Sequence, residues 1–202
     1  MSTNECRLVA QSLRGDEASF AALLELHHQC IYNLCYRLLG DRTEAEDAAQ
    51  ETFWRAFQHL DRFDPHRSLR TWLCAIAHHH CIDQLRRRRL TWLPLDTDVP
   101  PDHPALHDPT PGPEPEAERL EQAARVQDLL RRLPPSGRAV ITLHYWSGLT
   151  YREIAAVTGT TVSAVKSRLH RNRAALAKML HTEASVPASR GAQPAKIHWQ
   201  VA

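Results

Sequence analysis

The chain has 202 residues, with 25 Lys+Arg against 23 Asp+Glu and a formal charge of +2. No run approaches the roughly 18 apolar residues of a membrane span, and the first residues lack a basic-then-apolar secretory pattern. The 7 glycines form no G-x-x-x-x-G-K or G-x-G-x-x-G loop, and the five cysteines (Cys6, Cys30, Cys35, Cys74, Cys81) are too sparse for a disulfide scaffold, so a cytosolic, cofactor-free, non-enzymatic protein is expected.

Apolar residues step by three and four wherever proline is scarce, which predicts an all-α fold. A short helix around Cys6–Leu13 stops at Gly15-Asp16. A longer one follows, with Phe20, Leu23, Leu24, His27, Ile31, Leu34, Cys35 and Leu38 inward and Gly40 as its stop. Thr43-Glu44-Ala45-Glu46 reads as a capping box opening a third helix, with Ala48, Ala49, Phe53, Ala56, Phe57 and Leu60 inward. Ser68 caps a fourth, burying Leu69, Trp72, Leu73, Ile76 and Ala77 and running out into Arg86-Arg87-Arg88-Arg89. Eight of the 13 prolines then fall in residues 94–115. Proline removes backbone donors and like charges repel, so this stretch is expected to be an extended, disordered tether. Beyond it, Leu120, Ala123, Val126, Leu129 and Leu130 open a second unit that breaks at Pro134-Pro135 and resumes through Val140, Leu143 and Trp146 to Gly148.

The charges follow this division. Residues 1–89 carry 12 basic and 12 acidic side chains, residues 90–118 carry 0 and 7, and residues 119–180 carry 11 and 3. The predicted architecture is two small helical domains: a bundle over 5–90, an acidic Pro-rich linker over 91–117, a helix-turn-helix unit over 118–181, and a disordered tail over 182–202.

Thr150-Tyr151-Arg152-Glu153 is a second capping box. Ile154, Ala155 and Val157 follow, then Gly159 at a turn and a fresh cap at Thr161 leading to Val165 and Leu169. Cap, turn and cap at this spacing is helix-turn-helix order. Opposite the apolar stripe stand Ser163, Lys166, Ser167, His170 and Arg171, with Arg168 at the flank: short hydroxyls for close approach and cations for phosphates and guanine edges. In a basic unit that pattern favours DNA binding over an ordinary solvated helix.

On the fourth helix, His79, Asp83 and Arg86 share one edge, with Arg87 and the remaining arginines beyond. Phe63, Trp72 and Trp92 lie near enough in sequence to stack bases while arginines hold a backbone; the alternative is a core tryptophan and a solvated helix end. Cys74, His78 and Cys81 also fall at i, i+4 and i+7, with His27, Cys30 and Cys35 one helix away, a spacing that could hold zinc but matches no standard pattern. The acidic start of the third helix, Glu44, Glu46, Asp47, Gln50 and Glu51 beside Phe53-Trp54, is either a solvated N-terminal turn or a docking surface.

Three segments in order resemble the sigma factors of bacterial RNA polymerase, specifically the two-domain extracytoplasmic-function group: Ala45-Glu46-Asp47-Ala48-Ala49-Gln50-Glu51-Thr52-Phe53; Leu69-Arg70-Thr71-Trp72-Leu73 with Ile76-Ala77, Ile82-Asp83 and Leu85-Arg86-Arg87; and Tyr151-Arg152-Glu153-Ile154-Ala155 with Val165-Lys166-Ser167-Arg168-Leu169. The resemblance implies that Glu46, Asp47, Gln50, Glu51, Phe53 and Trp54 dock on core RNA polymerase. It implies that Phe63, Arg70, Trp72, His79, Asp83, Arg86 and Arg87 capture the non-template strand of the promoter minus-ten element, holding an extruded base. It further implies that Thr161, Ser163, Lys166, Ser167, Arg168, His170 and Arg171 read the minus-thirty-five duplex, that the acidic linker threads a basic channel of the polymerase, and that an anti-sigma factor is a partner. His79 stands where the family commonly has Asn, and Ser163-Ala164 where it has Gly-Thr. The rivals are a stand-alone helix-turn-helix regulator and a metal- or redox-sensing module built on Cys74, His78 and Cys81.

Overall fold

The computed structural model describes residues 3–91 and 114–185, and every described element is helical: α1 Thr3–Ser12, α2 Glu17–Leu39, α3 Arg42–Gln58, α4 Leu69–Thr91, α5 Glu114–Arg131, α6 Pro135–Tyr145, α7 Tyr151–Thr158 and α8 Val162–Ser185, with a 3-10 turn at Leu60–Arg62. Most of the expected tether and tail, residues 92–113 and 186–202, lies outside the described residues. Helix α5 begins at Glu114, a few residues inside the segment expected as linker, and α8 runs four residues beyond 181.

Helix α2 is the axis of the first unit. Its Ile31, Leu34, Cys35 and Leu38 are fully buried, and each aliphatic one contributes about 2 kcal/mol by leaving water. Helix α3 meets α2 through Ala45, Ala48, Ala49 and Ala56, all at most 1% exposed, and these small side chains let the two backbones approach closely. Helix α4 closes the bundle with Leu69, Leu73 and Ala77. Helix α3 is not capped by Thr43: Asp41, in an extended conformation, accepts a bond from the Glu44 amide at 3.0 Å, and Thr43 sits exposed in the first turn. Phe57 and Leu120, expected inward, are 46% and 55% exposed, and Ala123 is exposed as well.

In the second unit α6 is buried from Gly137 through Leu143, and α7 and α8 fold over it with Ile154, Val157, Val165 and Leu169. The two units are packed together at the C-terminal end of α2. A helix leaves its last carbonyls without intrahelical donors, and here side chains of α5 and α6 supply them. Gln127 Nε2 donates to the Tyr36 carbonyl at 3.0 Å, Arg138 Nη1 to the Leu38 carbonyl at 2.6 Å, and Arg131 to the Gly40 carbonyl. The two guanidinium groups also face the negative end of the helix dipole. Gly40 has φ 85°, which favours glycine, and a Cβ there would stand 2.7 Å from Arg131 Nε and push that side chain off the Gly40 carbonyl. Around this seam Arg37 lies 3.9 Å from the centre of the Trp146 ring, and Thr71 of α4 donates to Glu153 of α7 at 2.8 Å.

Candidate nucleic-acid interface

The turn between α7 and α8 is built as its sequence predicts. The Thr150 amide donates to Glu153 Oε2 at 2.8 Å and the Glu153 amide to Thr150 Oγ1 at 3.3 Å, closing the capping box. Burial works to raise the Glu153 carboxyl, but the bonds from Thr150 and Thr71 outweigh it and hold the group below its ordinary value. Gly159 takes φ 62° with open space around it, which a residue with a Cβ would meet with strain. Thr161 then accepts from the Ala164 amide at 3.1 Å. Ser163-Ala164 therefore starts α8 in register, although the family commonly has Gly-Thr there.

Beyond that cap Ser163, Lys166, Ser167, His170 and Arg171 form one exposed stripe, with Thr161 exposed at its head. Val165 and Leu169 hold the opposite face in the core at 0% and 2% exposure. Arg168 sits at the flank, half-buried. The stripe presents hydroxyls and cations together along the first turns of α8.

On α4 the expected residues divide. Trp72, His79, Asp83 and Arg86 recur at helical spacing along one line, with His79, Asp83 and Arg86 exposed and Asp83 3.7 Å from Arg86; Arg87 adjoins them. Arg70 belongs to another face, since its guanidinium lies by Gly148 and its charge acts on Cys30, Cys74 and Glu153. Phe63 is only 5% exposed and packs on half-buried Trp72 with ring centres 5.2 Å apart. It supports Trp72 and, buried at the end of the 3-10 turn, is not itself open to a base.

The acidic face of α3 is exposed at Glu46, Asp47 and Gln50, and Trp54 at 56% exposure continues it. Glu51 is half-buried and bonded to Arg55 at 2.6 Å. Phe53 is 7% exposed; one residue of helical rotation separates it from Trp54, and it serves the core. Phe57 takes its place on the surface, stacked on Trp54 at 6.3 Å.

The candidate zinc residues do not converge, and among the described residues no three histidine, cysteine or acidic side chains group as a metal site. Cys74 and Cys81 instead meet Cys30 and Cys35 of α2. His78 is buried, with an Nδ1 that has no hydrogen-bond partner; burial first, then His79, pushes its imidazole down to about 4. The sequence reading missed the seam residues Gln127, Arg131 and Arg138. The one visible signal was Arg138, a cation at the head of the apolar run Ala139-Val140-Ile141. Among the described residues no helix is long and apolar enough to cross a membrane.

These surfaces fall within two matched families, Sigma-70 region 2 over residues 23–91 and Sigma-70 region 4 over residues 123–176. The chain is 36% identical over 177 residues to the ECF RNA polymerase sigma factor SigW of Bacillus subtilis, spanning 85% of this chain and 94% of SigW. A solved structure of CnrH in complex with the cytosolic domain of CnrY superposes with a TM-score of 0.68 at 30% identity, covering 89% of this chain and 99% of that one. The sigma factor RpoE, in complex with the anti-sigma factor NepR from Bartonella quintana, shares the fold at TM-score 0.63 and 24% identity, over 81% of this chain and 98% of that one. With both sigma regions present in order and a full-length relative at this identity, the chain belongs to the extracytoplasmic-function sigma factors, the subunits that direct RNA polymerase to initiate transcription.

Proposed function

We propose the following division of labour for this sigma factor, a cytoplasmic and non-catalytic subunit. The α3 face of Glu46, Asp47, Gln50 and Trp54, edged by Glu51, docks on core polymerase. The α4 line of Trp72, His79, Asp83, Arg86 and Arg87 holds the unpaired non-template strand at the minus-ten element, with Phe63 fixing Trp72 from below and Arg70 placed toward the second unit. The α8 stripe reads the minus-thirty-five duplex: Lys166 and Arg171 on phosphates or guanine edges, Ser163 and Ser167 in close approach, and Arg168 and His170 alongside. His79 supplies a ring donor where the family commonly places an amide, which alters the base preference at that step.

The observation that carries this reading is that an acidic face, an aromatic-basic line and a hydroxyl-basic stripe lie exposed on three separate helices in family order. Acidic residues 90–118 suit a basic channel between the sites. Relatives solved with CnrY and with NepR support an anti-sigma partner for this chain too. The experiment adds the protein to core polymerase on a fragmented genomic library and sequences the transcripts. Discrete starts sharing two upstream elements, dependent on both components, are expected. Asp47→Ala with Gln50→Ala should weaken core binding at least tenfold, about 1.4 kcal/mol, with helicity unchanged; undiminished assembly would refute the docking face.

A further inference from the structure

Four of the five cysteines face one another in two layers between α2 and α4. The Cys30 thiol contacts that of Cys74, and the Cys35 thiol contacts that of Cys81. The layers differ in surroundings. Cys35 and Cys81 are fully buried, whereas Cys30 is only partly buried and Cys74 lies directly beneath it. The outer pair is also the one that faces the second unit: Ser147, in the turn after α6, lies beside both thiols and lowers them. Ser147 is 1% exposed, and its Oγ lies beside the pair without a hydrogen-bond partner of its own. The Arg70 guanidinium adds positive charge to the same pair.

We propose that Cys30 and Cys74 form an oxidisable dithiol site that a peroxide-class oxidant converts to an intramolecular disulfide, while Cys35 and Cys81 stay reduced. A buried cysteine is ordinarily an inert apolar residue, and reactivity calls for a thiolate, nearby donors or cations, and access. The outer pair has all three. The contact with Cys74, working against burial, lowers the Cys30 thiol, and the same contact, with burial, raises that of Cys74. The inner pair lacks access: both of its sulfurs are fully buried, and its mutual bond and burial push Cys35 up.

In the first step the Cys30 thiolate attacks one peroxide oxygen; the O–O bond breaks, and the departing hydroxide takes up a proton as water. Cys30 is then a sulfenic acid. Cys74 attacks that sulfur, its proton leaving with the displaced hydroxide as a second water. Two thiols and one peroxide thus give one disulfide and two waters, the two electrons passing from sulfur to oxygen. The product ties α2 to α4, the helix that carries Trp72, His79 and Arg86, beside Ser147 of the second unit.

The test treats the full chain with hydrogen peroxide, alkylates it under denaturing conditions and maps the peptides. Two of the five thiols should become resistant to alkylation, with the Cys30 and Cys74 peptides joined and released by dithiothreitol. Cys35 and Cys81 should alkylate as in untreated protein, and Cys30→Ser should abolish the cross-link. Mapping the unmutated chain decides the matter even where that variant folds poorly. Retention of all five thiols, sulfinic acid at Cys30 with no cross-link, or disulfides solely between chains through exposed Cys6 would each overturn the proposal.

Discussion

His78 sits inside α4 with burial holding its imidazole at about 4 against an ordinary 6.5. The folded state therefore resists a proton that the unfolded chain accepts. Stability from this group is complete above pH 6.5 and is lost as pH falls toward 4, by about 3 kcal/mol at 1.4 kcal/mol per unit. His27 and His80 are also lowered, chiefly by burial, and add to the slope in the same direction. His78→Leu should keep the core filled, remove the unpartnered Nδ1 and flatten the decline. Thermal unfolding of both proteins at pH 7 and pH 4.5 checks this; equal losses on acidification would mean that His78 does not carry the effect. Single residues were legible in sequence to the extent that helical phase decided them. Lys166, Asp47 and His79 lie on polar faces and are exposed as expected. Phe53 and Phe63 were not legible, because an aromatic ring suits a core and a base equally and one step of rotation separates Phe53 from exposed Trp54. Cys74, His78 and Cys81 do share a face of α4, but what meets that face is α2, and spacing within one helix holds no information about its partner.

Helix α8 shows what an element adds. Its inward Val165 and Leu169 fix its rotation, so Lys166 must project with Ser163, Ser167 and His170. On DNA, each lysine set on a phosphate releases about one counterion. Lys166→Ala should weaken duplex binding and lower the slope of log K against log salt by about one unit, without altering sequence preference. Titration of the minus-thirty-five duplex across a salt series reads this directly, and an unchanged slope would remove Lys166 from the phosphate contacts. Caps were legible where the local signal was single: Thr150 with Glu153, and Thr161 before Val162. At α3 the pattern Thr43 with Glu46 pointed to the wrong cap, and Asp41, three residues before Glu44, holds that position instead. Asp41 wins because the chain leaving Gly40 is already extended there, with ψ 140°, the backbone state an N-cap needs.

Over the whole molecule, the seam at the end of α2 was the least legible feature, since it is made of Gln127, Arg131 and Arg138 reaching carbonyls about 90 to 100 residues earlier; a carbonyl has no sequence signature. The seam bears on the proposed roles through distance. Elements named minus-ten and minus-thirty-five are about 25 base pairs apart, or roughly 85 Å at 3.4 Å each, beyond what two units packed side by side can span. On the proposed roles, promoter engagement requires the seam to part, so the seam must be strong enough to form yet weak enough to break. Gln127→Ala with Trp146→Ala removes the amide from the α2 carbonyls and the ring from Arg37, a group that burial already pushes down to about 10. The combined loss should be about 3 kcal/mol. Calorimetry of the unaltered protein should show one unfolding transition, because both units share the seam, and the double variant should show two, with a larger radius of gyration in X-ray scattering. A single transition in the variant would mean that the apolar contacts alone hold the units together, and polymerase would then have to supply the energy that separates them.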